Sequence, residues 1–172
     1  MKRLLFNLGA LFMISGCFLS CSTDDGDDCP EDFSGALVAN EEKMVGEWTL
    51  TAIVADEAVD ITDDDEENPS TNIFAQYNDC QKDAAYTFNS GRSYTFEQGV
   101  NGTNCPNRAT VSGSWQLASN TLSIVFGCNL QNLSLTFNGS DTAFSFSDNF
   151  NVTDINGDVI QTEITFTYSL VE

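Results

Sequence analysis

The groups in this chain with chemistry to offer are six cysteines, Cys17, Cys21, Cys29, Cys80, Cys105 and Cys128, and 26 carboxylates. Histidine is absent. Its absence removes Ser-His-Asp and Cys-His nucleophilic sites, and every zinc or copper site built on imidazole. The cysteine spacings fit no thiolate metal site, so neither metal nor cofactor is expected. Carboxylate pairs can do acid–base work, but most of these lie in exposed-looking runs where their pKa values stay ordinary and suit it poorly. One enzymatic route remains, a one-residue slip of the last strand that would turn Glu163 inward. The expectation is a protein that is not an enzyme.

The charge balance narrows the partners. Six Lys+Arg against 26 Asp+Glu give a formal net charge of −20. Such a chain repels nucleic acid phosphates and anionic lipid surfaces, and attracts cations or a basic protein. With 41% hydrophobic and 11% aromatic residues there is still enough apolar surface for a core. The length of 172 residues suits one domain with a leader and a linker.

Lys2 and Arg3 precede an apolar run from Leu4 to Leu19, the form of a secretory signal. Ile14-Ser15-Gly16-Cys17 and Phe18-Leu19-Ser20-Cys21 both resemble the bacterial lipobox, which ends on the cysteine that receives lipid. Cys17 has the better lipobox. Cys21 has the better surroundings, because Ser22-Thr23-Asp24-Asp25 resembles the tag of surface-exported lipoproteins. Processing at Cys21 also leaves an even set of cysteines able to pair in an oxidising compartment. Cys21 is therefore expected to carry the lipid, with Cys17 the alternative. On this reading residues 1–20 are a signal peptide and the protein is held on the outer membrane, exposed at the cell surface. Residues 21–39 are an acidic linker, extended by repulsion among Asp24, Asp25, Asp27, Asp28, Glu31 and Asp32. Residues 40–172 form the folded domain.

That domain reads as β throughout. Asn40-Glu41-Glu42-Lys43 predicts a short helix plugging one end of the fold. A first strand over 47–55 places Trp48, Leu50, Ala52 and Val54 on one face. A long loop over 56–82 follows, with acids from Asp60 to Glu67. Hairpin strands 85–88 and 93–96 flank Asn89-Ser90-Gly91-Arg92. Alternating stretches recur at 110–117, 122–124, 133–137, 144–146 and 160–170. Period two, repeated about eight times with short connections, predicts an antiparallel up-and-down β-barrel, which removes its own edges.

Gly46-Glu47-Trp48, Asp79-Cys80-Gln81-Lys82-Asp83 leading into Tyr86-Thr87-Phe88, Cys105, and Gly113-Ser114-Trp115-Gln116-Leu117 followed by Leu122 together resemble the lipocalin-like lipoproteins of Gram-negative bacteria. The resemblance covers roughly residues 41–172. It implies a barrel with a long first loop over its open mouth, and it expects a bridge between Cys80 and Cys105, which flank a single hairpin. Cys29 with Cys128 is then the leftover pair. The chain departs from the better-known lipocalins in having no arginine near its C-terminal strand to pack over Trp48. Its only arginines after the leader are Arg92 and Arg108.

Such a barrel either fills with side chains or holds one small ligand. The expected lining for a small apolar ligand is Trp48, Tyr86, Phe88, Phe96, Trp115, Phe126, Phe137, Phe144, Phe146, Phe166 and Tyr168. A different class of function is a surface-interaction or inhibitor module, with a filled barrel and the acidic loop Asp60–Glu67 steering a basic protein partner.

Overall fold

The computed structural model describes residues 29–171. Cys17, Cys21 and residues 21–28 of the expected linker lie outside them. The elements are β1 (Gly46–Val59), β2 (Ser70–Asn72), α1 (Ile73–Gln76), α2 (Asp79–Lys82), β3 (Ala85–Phe88), β4 (Ser93–Gln98), β5 (Ala109–Ala118), β6 (Thr121–Phe126), β7 (Asn129–Ser134), β8 (Thr136–Phe137), β9 (Ala143–Thr153) and β10 (Val159–Leu170). A 3-10 turn over Glu42–Met44 precedes β1.

The ten strands form one antiparallel sheet in the order β7-β6-β5-β4-β3-β1-β10-β9-β8, with β2 added beside β1. The two ends of that order, β7 and β8, are halves of one continuous run interrupted at Leu135. β7 pairs β6 and β8 pairs β9, so the run changes partner at Leu135 and nearly closes the sheet into a barrel. Counting that run as one stave and leaving out β2, the barrel has about the eight staves that the period-two pattern predicts. The expected single strand over 133–137 is therefore corrected to two short ones. The Leu135 amide bonds the Asn120 carbonyl while its side chain stays in the core.

A bulge corrects the first strand. Leu50 faces Tyr168 on β10, but the next partnered residue, Ala52, faces Thr167, leaving Thr51 as the extra residue. One extra residue reverses every later side chain. Ile53 and Ala55 are thus buried, and Val54, expected inside, is exposed. β1 also runs to Val59, and β2, α1 and α2 occupy much of the segment read as loop.

Residues 29–39 are packed along the barrel wall, where a free spacer had been expected up to residue 39. Cys29 is bonded to Cys128. The Phe33 amide donates to Ser114 Oγ at 2.8 Å, and Ser114 donates to Asp32. Ser114 and Val125 point away from the interior yet are buried, as expected beneath such a strap. The folded unit accordingly begins by Cys29.

The narrow half of the barrel is filled with rings. Trp48 packs on Phe144 at 4.9 Å between centroids, Phe144 on Tyr168 at 5.4 Å, Tyr168 on Tyr86 at 5.1 Å, and Phe88 on both Tyr86 and Trp115. Each such pair adds about 0.5–1.5 kcal/mol beyond the area it buries. Gly46 has φ 141°, and a Cβ there would stand 2.8 Å from Leu170, so glycine is required where the chain turns into β1.

Candidate functional site

Two ends of the barrel have different chemistry. At the narrow end Glu41 and Arg92 form a buried pair, with Arg92 Nη1 and Nη2 each 2.7 Å from a Glu41 carboxylate oxygen. Glu41 also accepts the Val38 amide at 2.8 Å and the Leu117 amide at 3.2 Å. Arg92 spends its remaining donors on the Gly35, Ala36 and Trp115 carbonyls. Burial pulls the Glu41 carboxyl upward, but the Arg92 bond, the two amides and the Arg92 charge outweigh it and hold the group below its ordinary range. Trp48 Nε1 donates to the Met44 carbonyl at 2.8 Å, which seats the 3-10 turn over the barrel end. Glu41, not Asn40, is the capping position of that turn; the Asn40 amide reaches Ser119 instead. This end is a plug whose buried charges satisfy one another.

Arg92 and Glu41 were missed as a pair in the sequence. Arg92 reads as the last residue of a turn and Glu41 as an acid in a first helical turn. In the structure Arg92 takes the turn corner beside Gly91 with a φ of 65°, uncommon for a non-glycine, and no local sequence pattern announces it.

The wide end is organised by carboxylates that sequence reading assigns to exposed charge. Asp60 is buried and accepts the Thr62 and Asn68 amides and the Thr62 hydroxyl. The Asn68 amide first, then Thr62, keeps its carboxyl below the ordinary range. Asp64 holds the Glu66 amide and the Asn68 side chain. The loop is thus shaped by Asp60 and Asp64, leaving Asp63, Asp65, Glu66 and Glu67 exposed. Across the rim Asp83 accepts the Gly99, Asn101 and Gly102 amides, and the Cys80–Cys105 disulfide ties α2 to the same turn. A Cβ on Gly102 would come 2.5 Å from Cys105 Sγ, so the disulfide lies directly against that backbone.

Of the expected ligand residues, Trp48, Tyr86, Phe88, Trp115 and Tyr168 are packed into the ring-filled half, as is Phe144. Phe137 lies at the narrow end, with the Lys43 ammonium 3.9 Å from its ring centroid. Phe96, Phe126 and Phe166 are half-buried toward the wide end, and Phe146, 9% exposed, sits below them. Phe146 stacks on Phe166 at 5.4 Å, and Phe166 meets Phe150 edge-on at 5.8 Å. Phe150 escapes the sequence reading because Ser147-Asp148-Asn149 interrupts the apolar alternation.

Glu163 is exposed, paired in register with Asn149 on the outer side of β10. The inward carboxylate is a different one. Asp148 faces Ile164 in register, between the Phe146–Phe166 and Phe150–Thr162 pairs, and so lies on the inner face. Ser147 confirms the alternation by bonding Thr165 on the outer face at 2.8 Å. Beyond Phe144 and Ser145, which pair β8, β9 is laddered on its β10 side alone among the described residues, and Asp148 is exposed beside this unpaired edge. Two grooves of about 390 and 200 Å3 lie elsewhere, on the strap and beside Phe137. No group of metal-ligating side chains occurs among the described residues.

These features define a nearly closed antiparallel β-barrel with a plugged end and an aromatic, acid-rimmed end. The chain belongs to the family described as domain of unknown function (DUF5004), whose model matches residues 22–171. Comparison with curated proteins and with solved structures finds no match.

Proposed function

We propose that this protein is an envelope-tethered binding protein whose barrel takes a small apolar ligand at its wide end. The observation that carries this reading is the set of half-buried inward phenylalanines, Phe96, Phe126, Phe150 and Phe166, standing above a sealed core. Apolar surface left in contact with water forgoes about 25 cal/mol per Å2, which a ligand covering it would recover. Concave aromatic walls with a few polar groups are the usual form of such sites. The site is a shallow one at the mouth, since the rings expected to line a deep cavity are packed on one another. The lipocalin resemblance supports the same end of the barrel. The tether rests on the leader, the lipobox-like residues before Cys17 and Cys21, and the Ser22-Thr23-Asp24-Asp25 stretch. The test is native mass spectrometry of protein purified from its own membrane, with solvent extraction. A co-purifying small molecule supports the reading, and a ligand-free protein that takes up no apolar dye counts against it.

A second reading is a protein-interaction module that engages a basic partner through the loop. What favours it is that Asp60 and Asp64 fix the loop while Asp63, Asp65, Glu66 and Glu67 stay exposed. Capture of one basic protein at low salt, lost at high salt, would support it. Unchanged capture after neutralising those four acids would remove it.

A further inference from the structure

We infer that the mouth is built for an organic cation, an apolar or aromatic body carrying an ammonium-type charge, held by the mouth phenylalanines with Asp148 as its counter-charge. The inference rests on the ligand-binding reading above and specifies the chemistry of the ligand.

Three observations converge. Asp148 is a carboxylate on the inner face of a barrel wall, flanked on its own strand and face by Phe146 and Phe150. No lysine or arginine among the described residues pairs with it, the ion pairs there being Lys43–Asp141 and Arg92–Glu41. An aromatic face beside a carboxylate is the arrangement that attracts a cation twice, through the ring quadrupole and through charge. The rim already carries one such contact, the Lys82 ammonium 5.4 Å from the Phe74 ring centroid.

The second observation is the hydroxyl groups beneath. Tyr86 and Tyr168 are each only 4% exposed. Burial acts on both phenols, and no hydrogen bond to either is present among the described residues. Every fully enclosed side-chain polar atom there does have a partner. Each hydroxyl oxygen therefore keeps a small exposed area within the packed core. Their rings touch the mouth set, Tyr86 against Phe96 at 4.8 Å and Tyr168 against Phe146 at 6.2 Å. They offer hydrogen-bonding oxygens to a ligand's polar atom.

The third is sign. A carboxylate ligand would meet Asp148 with no unpaired cation on the inner face among the described residues, because Arg92 is committed to Glu41 and Lys82 lies out on the rim against Phe74. A chain of net charge −20 raises the local concentration of cations at such a mouth.

The experiment uses the purified full chain and three probes sharing one ring system, naphthylmethylamine, naphthalenemethanol and naphthoate, titrated calorimetrically at low salt. The expected order is amine tightest, by about five- to tenfold over the alcohol, with naphthoate weakest. Asp148→Asn should bring the amine to the level of the alcohol. Glu163→Gln removes the same charge from the outer face at the same height and should leave the order intact. Equal affinities for all three probes, or an amine preference that survives Asp148→Asn, would overturn the cation inference and leave ligand binding standing. Binding of none of them would overturn both.

Discussion

Arg92 and Glu41, 51 positions apart, meet fork to fork at the narrow end of the barrel with both contacts at 2.7 Å. The pair joins the β3–β4 hairpin to the turn that seals the barrel, and its other bonds reach β5 and the strap. Breaking one side of a buried ion pair leaves the other charge uncompensated, at a cost of about 3–5 kcal/mol. Glu41→Ala should lower the unfolding free energy from denaturant titration by that amount, whereas Glu66→Ala in the exposed loop should change it little. Because Glu41 titrates below its ordinary 4.5 when folded, the stability it contributes is complete above that value. It is lost as pH falls through the lower folded pKa. Wild-type unfolding curves should therefore steepen in pH dependence below about 4.5, and Glu41→Gln should blunt that dependence.

The alkaline side is governed by tyrosine. Burial raises all four phenols, Tyr94 up to about 12 and Tyr86 and Tyr168 well above 10. The unfolded chain loses these protons first as pH rises past 10, so folding stability should fall above that value. Spectrophotometric titration should show little phenolate at pH 10 in the folded protein, then a sharp rise coincident with unfolding. Half-ionised tyrosines at that pH in a folded sample would contradict the packed core.

Much of this fold is legible in the sequence because the barrel has one wet face. In β10, Ile160, Thr162, Ile164 and Tyr168 point inward as the period-two pattern requires. What stays hidden is whatever local pattern does not encode. The bulge at Thr51 carries no glycine or proline to announce it, so Val54 looks like core until the register is known. Phe33 is a lone apolar residue in an acidic run, and only the Ser114 contact gives it a place. Asp60 and Asp83 look like surface charge, yet each organises a turn through backbone amides, those of Thr62 and Asn68 for Asp60 and those of Gly99, Asn101 and Gly102 for Asp83. Asp148 falls outside the alternating stretch read at 144–146, and its inner-face position emerges only from its pairing with Ile164.

The two disulfides should differ in weight. Cys29–Cys128 spans 99 residues and Cys80–Cys105 spans 25. Chain-entropy arguments give about 4.7 kcal/mol for the longer loop and roughly 3.5 kcal/mol for the shorter. Cys29→Ser with Cys128→Ser should reduce stability more than the matching pair at 80 and 105, measured by denaturant unfolding. The 29/128 variant should also expose the strap to proteolysis near Phe33, since Asp32 and Phe33 then rely on their bonds to Ser114.

The proposed tether has its own test, by membrane fractionation and mass spectrometry of the N-terminus. Two or more acyl chains on one cysteine give stable attachment, where a single chain gives only marginal binding. Cys21→Ser should release the protein to the soluble fraction, and Cys17→Ser should leave it membrane-bound. The reverse pattern would assign the anchor to Cys17.

The most direct measurement of the central claim is a fluorescence titration with the apolar dye phenylnaphthylamine, compared across three proteins. The wild type should bind one dye per chain, saturably. Phe166→Ser, which replaces the ring between Phe146 and Phe150, should weaken binding about tenfold or more, through lost apolar contact of about 1.5–3 kcal/mol. Val54→Ser, on the exposed outer face of β1, should leave binding unchanged. Saturable binding lost only in Phe166→Ser is the result predicted. Absence of saturable binding in the wild type, or equal affinity in all three proteins, would contradict a ligand site at the mouth of the barrel.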